Sequence, residues 1–209
     1  MSGDTLEIVD SFPKDNGDGL VGRRHKFVFC NDNSITGGVE VLNGATAVLR
    51  GANPSFGACT VSLSGEAALR FENTAELDFT NKLYGAGTIQ LGATKEVLFN
   101  GDISEFEGVI DLCGLRHEFS KVPPFAFTNT TGRATVAFKG GLGTVDASAL
   151  ELTGDPMGYD LAIGAGTLLD LDESLIDAGS AVSGCGPAFV GSNVSAPGIL
   201  SSSIVSCPS

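Results

Sequence analysis

Gly87-Thr88-Ile89-Gln90-Leu91 and, 21 residues later, Gly108-Val109-Ile110-Asp111-Leu112 set the pattern of the chain: a glycine, then a short run of alternating character. Working outward, the same phrase stands at Gly44 with residues 45–49, at Gly65 with 66–71 and at Gly132 with 133–138, so the glycines recur at spacings of 21, 22, 21 and 24. Between them lie further short alternating runs at 39–42, 60–63, 75–79, 97–99 and 135–138, bounded by Gly, Asn, Asp or Ser. Alternation with a period of two is the signature of a half-buried strand. No window holds a capped apolar face at helical spacing for more than about two turns, so helix is a minor component.

A sandwich would also be made of many short strands, joined by hairpins, and Asn16-Gly17, Asp18-Gly19, Asn43-Gly44 and Asn100-Gly101 are dipeptides that such hairpins favour. A sandwich, however, has no reason to bring a glycine back in the same relation to the next strand every 21 to 24 residues. A solenoid does, because one turn of chain is one rung. The expected fold class is therefore all-β, a parallel β-helix (β-solenoid) whose rungs, ~4.8 Å apart, make a rod roughly 30 Å long in about six or seven turns. The expected layout is an N-terminal cap over 1–34, the solenoid over 35–178, and a Ser/Gly/Pro-rich C-terminal cap or tail over 179–209.

Composition agrees with thin, regular strands. Glycine makes up 29 of 209 residues, about twice the usual ~7%, with no three-residue collagen period, so it marks turns. The net charge of −13, from 25 acidic and 12 basic residues, repels phosphate backbones and anionic membranes. Nucleic acid is not an expected partner. The one basic cluster, Arg23-Arg24-His25-Lys26, reads as a solvated turn ahead of a strand. No stretch is long and apolar enough for a membrane span, and Met1-Ser2-Gly3-Asp4 lacks the basic and apolar regions of an export signal. The chain reads as a soluble, mature or excised fragment. The five cysteines form no Cys-x-x-Cys pair, which argues against zinc; Cys185 and Cys207 are able to pair in an oxidising compartment, while Cys30, Cys59 and Cys113 are expected to pack as small apolar groups.

The stretch from Leu83-Tyr84-Gly85-Ala86-Gly87-Thr88-Ile89 through Val97-Leu98-Phe99-Asn100-Gly101-Asp102-Ile103 to Leu112 resembles the β-strand repeat of bacterial autotransporter passenger domains. Gly-x-Gly-Thr-Ile and aromatic-x-Gly-x-Ile carry the match, with partial echoes at Gly141 to Val145 and Gly164 to Leu168. Ile103-Ser104-Glu105 departs from the family's Asn-Thr. The resemblance implies a right-handed parallel β-helix, a pectin-lyase-like shape, secreted or displayed on a bacterial cell surface.

Chemistry is sparse. Hydrolysis on a β-helix needs carboxylates from neighbouring rungs facing a groove, and the candidates are Asp102, Glu105, Glu107 and Asp111, with Glu76, Asp78 and Lys82 on the rung before. Outward alternation of polar residues explains the same spacing. Asp170-Leu171-Asp172-Glu173-Ser174 offers alternate oxygen ligands, but Leu175 stands where an EF-hand loop needs glycine. Gly140 to Asp146 approaches a calcium-binding β-roll unit with its aspartate one residue late, and Ile176 to Ser180 is only a partial aspartic-protease loop. His25 and His117 lie among charged residues, His117 reading as a surface turn. No catalytic, cofactor-binding or metal residue is assigned, and no cofactor is expected. The expectation is a non-catalytic structural or adhesive module, with a glycan or host surface protein as partner and self-association through the solenoid ends. The alternatives are a polysaccharide-degrading β-helix enzyme and a structural fragment of a larger display protein.

Overall fold

In the computed structural model, which describes residues 6–9, 26–30, 32–152, 159–170, 175–176, 181–184 and 189–190, the alternating runs are strands, and the strands pair in parallel. The fold is an all-β parallel solenoid, and among the described residues no strand pairs with its successor in the manner of a hairpin. The chain divides into two compact units, Met1–Val109 and Ile110–Ser209.

The first unit is built from β1 (Leu6–Val9), β2 (Lys26–Phe29), β3 (Gly38–Leu42), β4 (Thr46–Gly51), β5 (Thr60–Leu63), β6 (Ala68–Asn73), β7 (Leu77–Phe79), β8 (Lys82–Gly85), β9 (Thr88–Leu91), β10 (Val97–Phe99) and β11 (Glu105–Phe106). Alternate strands belong to different sheets: β1-β3-β5-β8-β11 form one, β2 through β4 and β6 to β9 a second, and β7 with β10 a third. The second unit takes β12 (Val109–Asp111), β13 (Arg116–Phe119), β14 (Phe127–Thr128), β15 (Ala134–Phe138), β16 (Gly143–Asp146), β17 (Glu151–Leu152), β18 (Tyr159–Ile163), β19 (Thr167–Asp170), β20 (Leu175–Ile176), β21 (Ala181–Gly184) and β22 (Phe189–Val190). Here β12-β14-β17-β20, β13-β15-β18-β21 and β16-β19-β22 are the ladders. Of the segment expected to cap the N-terminus, β1 and β2 pair in register with β3 and β4; residues 10–25 lie outside the described residues, as does most of the expected tail, Cys185 and Cys207 included.

Leu42-Asn43-Gly44-Ala45 shows how a hairpin-type dipeptide serves a solenoid. Asn43 and Gly44 both hold positive φ, 53° and 78°, and the Ala45 amide donates to the Leu42 carbonyl at 3.0 Å. These are the dihedral signs of a two-residue hairpin turn. The turn leads β3 out of one sheet and β4 into another, so it forms a corner between ladders. Cys113-Gly114 repeats this corner between β12 and β13, with φ of 53° and 67° and the Leu115 amide on the Leu112 carbonyl at 3.1 Å.

The glycines of the repeat are not equivalent, contrary to the expectation that each stands in one relation to the next strand. Thr46 pairs with Ala68 and Ala68 with Thr88, a register of 22 and then 20 residues, so glycines 44, 65 and 87 fall at different distances before their strands. Gly44 and Gly65 sit at corners with positive φ. Gly87 and Gly108 are needed for room: a Cβ on Gly87 would lie 2.7 Å from the Ala67 carbonyl oxygen, and one on Gly108 would collide with the carbonyl of Gly87.

Stacked rungs put like on like. The interior rows run Val39, Val61, Leu83; Ala47, Leu69, Ile89; and Leu49, Phe71, Leu91, all buried. Phe71, Phe79 and Phe99 meet edge-to-face with centroids 5.4 to 6.1 Å apart, a geometry that adds to the area they remove from water. Inside the second unit Phe119 packs on Phe127 at 5.6 Å and on Phe138 at 6.3 Å.

Corners leave backbone carbonyls and amides without ladder partners, and buried asparagines answer them. The Asn81 amide donates to the carbonyls of Gly57 at 2.8 Å and Cys59 at 2.7 Å. Asn73 reaches the carbonyls of Ala75, Lys95 and Glu96, and Asn129 accepts from the Gly114 amide at 2.8 Å.

Candidate functional site

Parallel register turns an outward-facing position into a row. On the sheet β1-β3-β5-β8-β11, Glu40 lies opposite Ser62, Ser62 opposite Tyr84, and Tyr84 opposite Glu105, one residue per rung. Beside this row Thr60 lies opposite Lys82. Tyr84 is half-buried, so part of its side chain stays accessible. An aromatic face set among a hydroxyl and carboxylates combines an apolar platform with hydrogen-bonding groups at fixed spacing.

Lys82 organises the end of the row. Its ammonium lies 2.5 Å from Glu105 and 3.5 Å from Asp102. The hydrogen bond from Lys82 to Glu105 outweighs the burial that would lower the lysine, so its pKa is raised. Asp102 accepts from the Ser104 hydroxyl at 2.7 Å and the Ser104 amide at 3.1 Å, and these bonds, ahead of the lysine's charge, hold its carboxyl below the usual range.

Several of the carboxylates considered for catalysis have other work, while Glu76 is exposed. Asp78 accepts from the Asn100 amide at 2.9 Å. Glu107 is exposed. Asp111, expected to point outward, is buried, because its carboxylate caps a corner: it accepts from the Cys113 amide at 2.9 Å and the Thr130 hydroxyl at 2.6 Å. A general acid needs a carboxyl raised toward neutrality. Asp102, Glu72 and Asp146 all move the other way. Asp146, in the β-roll-like segment, spends its carboxylate on Ser148, at 3.0 Å from the amide and 2.6 Å from the hydroxyl. Asp172 and the segment 177–180 lie outside the described residues. Among the described residues no group of three or more His, Cys, Asp or Glu is placed to hold a metal ion, and no helix is long and apolar enough to cross a membrane.

Two sequence expectations are corrected. His117 is no surface turn: it is an inward position of β13, in register with Val136, and its Nε2 lies 3.0 Å from the Leu112 carbonyl oxygen. Cys30 is exposed, whereas Cys59 is buried as expected, and burial pushes its thiol pKa up.

A second polar cluster escaped the sequence reading. On the outer face of β2, β4, β6 and β9, Glu72 receives Lys26 at 3.1 Å, the Arg70 Nε at 2.7 Å and the Arg50 Nε at 2.8 Å, with the Arg50 Nη2 also on its carboxylate. Arg70 extends to Gln90 at 3.4 Å. Burial would raise the Glu72 carboxyl; the bonds from Arg70, Arg50 and Lys26 and the lysine's charge overcome it and bring the pKa down to about 2. The residues are 46, 22 and 2 positions from Glu72, so only the register, which stacks Arg50 on Glu72, brings them together.

Comparison with family models, curated proteins and solved structures finds no match to this chain.

Proposed function

We propose that this chain is a non-catalytic structural and adhesive β-solenoid module, exported to a cell surface or beyond, that presents a sheet face to a glycan or host surface partner. The observation that carries this reading is the row Glu40, Ser62, Tyr84 and Glu105, which sets an aromatic ring among hydroxyl and carboxylate groups at rung spacing. Sugars offer an apolar C–H face and a rim of hydroxyls, and such a row meets both. A flat sheet face binds without enclosing its ligand, and the carboxyls beside it are committed to Lys82 and Ser104. The export and display part of the reading rests on the resemblance of residues 83–112 to the autotransporter passenger repeat.

The test is a glycan-array screen of the native chain and Tyr84→Ala, reading both retention and shortening of the bound sugars. Retention of neutral glycans by the native chain, lost in Tyr84→Ala with the glycans left intact, is the expected result. Retention that survives the substitution would remove the row from the reading, and shortened glycans would replace adhesion with hydrolysis.

A further inference from the structure

We infer that the Lys26, Arg50 and Arg70 cluster on the outer face of β2, β4, β6 and β9 is a binding surface for a linear, carboxylate-bearing glycan. It lies on a different sheet from the Tyr84 row and stands on separate observations.

The first is a local reversal of sign. In a chain of net charge −13, this face gathers three cations around one carboxylate, Glu72, among the described residues. An ion-pair network built for stability alone is best served by balanced charge, since surplus like charges repel. The surplus here is positive.

The second is preorganisation. Glu72 is the hub for Lys26, Arg50 and Arg70, so these long side chains are already ordered before any ligand arrives, which removes part of the entropy cost of binding. Arg70 is seated over Gly92, where a Cβ would come within 2.8 Å of its guanidinium, so the glycine lets the planar group lie close to the sheet. Beneath them Val48 is fully buried.

The third concerns the shape and chemistry of the ligand. Lys26, Arg50 and Arg70 come from three consecutive strands of one ladder, staggered along the strand direction, since Lys26 aligns with Thr46, Arg70 with Val48 and Arg50 with Glu72. Their charged ends converge on Glu72, so a carboxylate-bearing chain crossing the strands there would meet all three cations in one compact patch. Arginine guanidiniums recognise carboxylates through charge-assisted hydrogen bonds, and the cluster already holds one carboxylate, Glu72, whose Oε2 accepts from both the Nε and the Nη2 of Arg50 while its Oε1 accepts from Lys26 and Arg70. A nucleic acid fits less well. The outward positions of this face from residue 26 to 90 are Lys26, Val28, Thr46, Val48, Arg50, Ala68, Arg70, Glu72, Thr88 and Gln90, none of them aromatic. The exposed Phe27 belongs to the inward row, in register with Ala47, and leaves at most one ring beside the cluster where a strand of bases needs a series.

The experiment uses the full chain and alginate, a linear glycan with a carboxylate on every sugar, in calcium-free buffer, with neutral dextran as control. Titration calorimetry compares the native chain, Arg50→Gln/Arg70→Gln, Lys26→Gln, and Arg116→Gln/Arg133→Gln, which removes equal charge elsewhere. Losing one charge-assisted hydrogen bond weakens binding roughly tenfold, so the Arg50/Arg70 pair is expected to lose at least that, Lys26→Gln several-fold, and the Arg116/Arg133 pair under about twofold, with dextran silent. Far-UV circular dichroism establishes that each variant is folded; should the Arg50/Arg70 pair unfold, Lys26→Gln carries the test. No alginate binding by the native chain, or equal loss in both arginine pairs, overturns the inference. So does a single-stranded oligonucleotide of equal charge that competes as well as alginate, or a concentration-dependent increase in mass, abolished by the same variants, in place of glycan binding. Failure of this test leaves the Tyr84→Ala result untouched, because that assay reads neutral glycans on another sheet.

Discussion

Replacing Glu72 by Gln keeps the shape of the hub and removes its charge, and the structure sets both the size and the pH dependence of the effect. The carboxyl has a pKa of about 2 in the folded chain against an ordinary 4.5. At about 1.4 kcal/mol for each pKa unit, that difference corresponds to roughly 3 kcal/mol. Lys26 and Arg50 are 42% and 48% exposed, so solvent screens their share, and about 1–2 kcal/mol is the expected loss at neutral pH. The folded pKa is depressed, so the contribution is fully present above the unfolded value near 4.5 and is lost as pH falls toward about 2. Urea unfolding followed by far-UV circular dichroism, on native chain and Glu72→Gln at pH 7, 5, 4 and 3, should show a gap that is constant from pH 7 to about 5 and narrows below it. Half-molar salt should shrink the gap at pH 7. A gap that stays constant down to pH 3, or none at pH 7, would refute the assignment of Glu72 as the electrostatic hub.

Gly108→Ala places a methyl group against the Gly87 carbonyl and should prevent folding or cost more than about 4 kcal/mol, whereas Gly65→Ala, strained only by its φ of 53° with nothing within 4 Å, should cost about 1 kcal/mol by thermal melting. Equal costs would contradict the distinction drawn between crowded and corner glycines. Asn81→Leu leaves the carbonyls of Gly57 and Cys59 without their donor in a buried corner, and should lower stability by about 2–4 kcal/mol in urea titration; a neutral result would mean water replaces the amide. In thiol labelling mapped by mass spectrometry, Cys30 should react within the dead time while Cys59, buried and with its thiol pKa raised, reacts at the rate of unfolding.

The architecture was legible because a parallel solenoid repeats its grammar in one dimension. Alternating runs such as 60–63 and 97–99 reappear as β5 and β10 with their boundaries intact, since burial of every second residue is a local pattern that each strand carries by itself. The glycine series pointed to the same fold through a mixture of causes, corner conformation at Gly44 and Gly65 and backbone proximity at Gly87 and Gly108, which composition alone does not separate. His117 and Asp111 were misread for a related reason. The charged neighbours Arg116 and Glu118 suggest solvent for His117, yet alternation turns it inward, and the corner at Cys113-Gly114 draws the Asp111 carboxylate onto the Cys113 amide.

Thus the sequence by itself determined the class of fold, all-β with short stacked strands, because period-two alternation and turn glycines are properties of contiguous residues. Which side chains meet was decided only by tertiary structure. Register is a relation between residues about one turn apart, and a shift of one position would turn every side chain to the opposite face. The 22-residue step that sets Arg50 beside Glu72, and the steps that align Glu40, Ser62, Tyr84 and Glu105, are fixed by how each turn's corners close over the core.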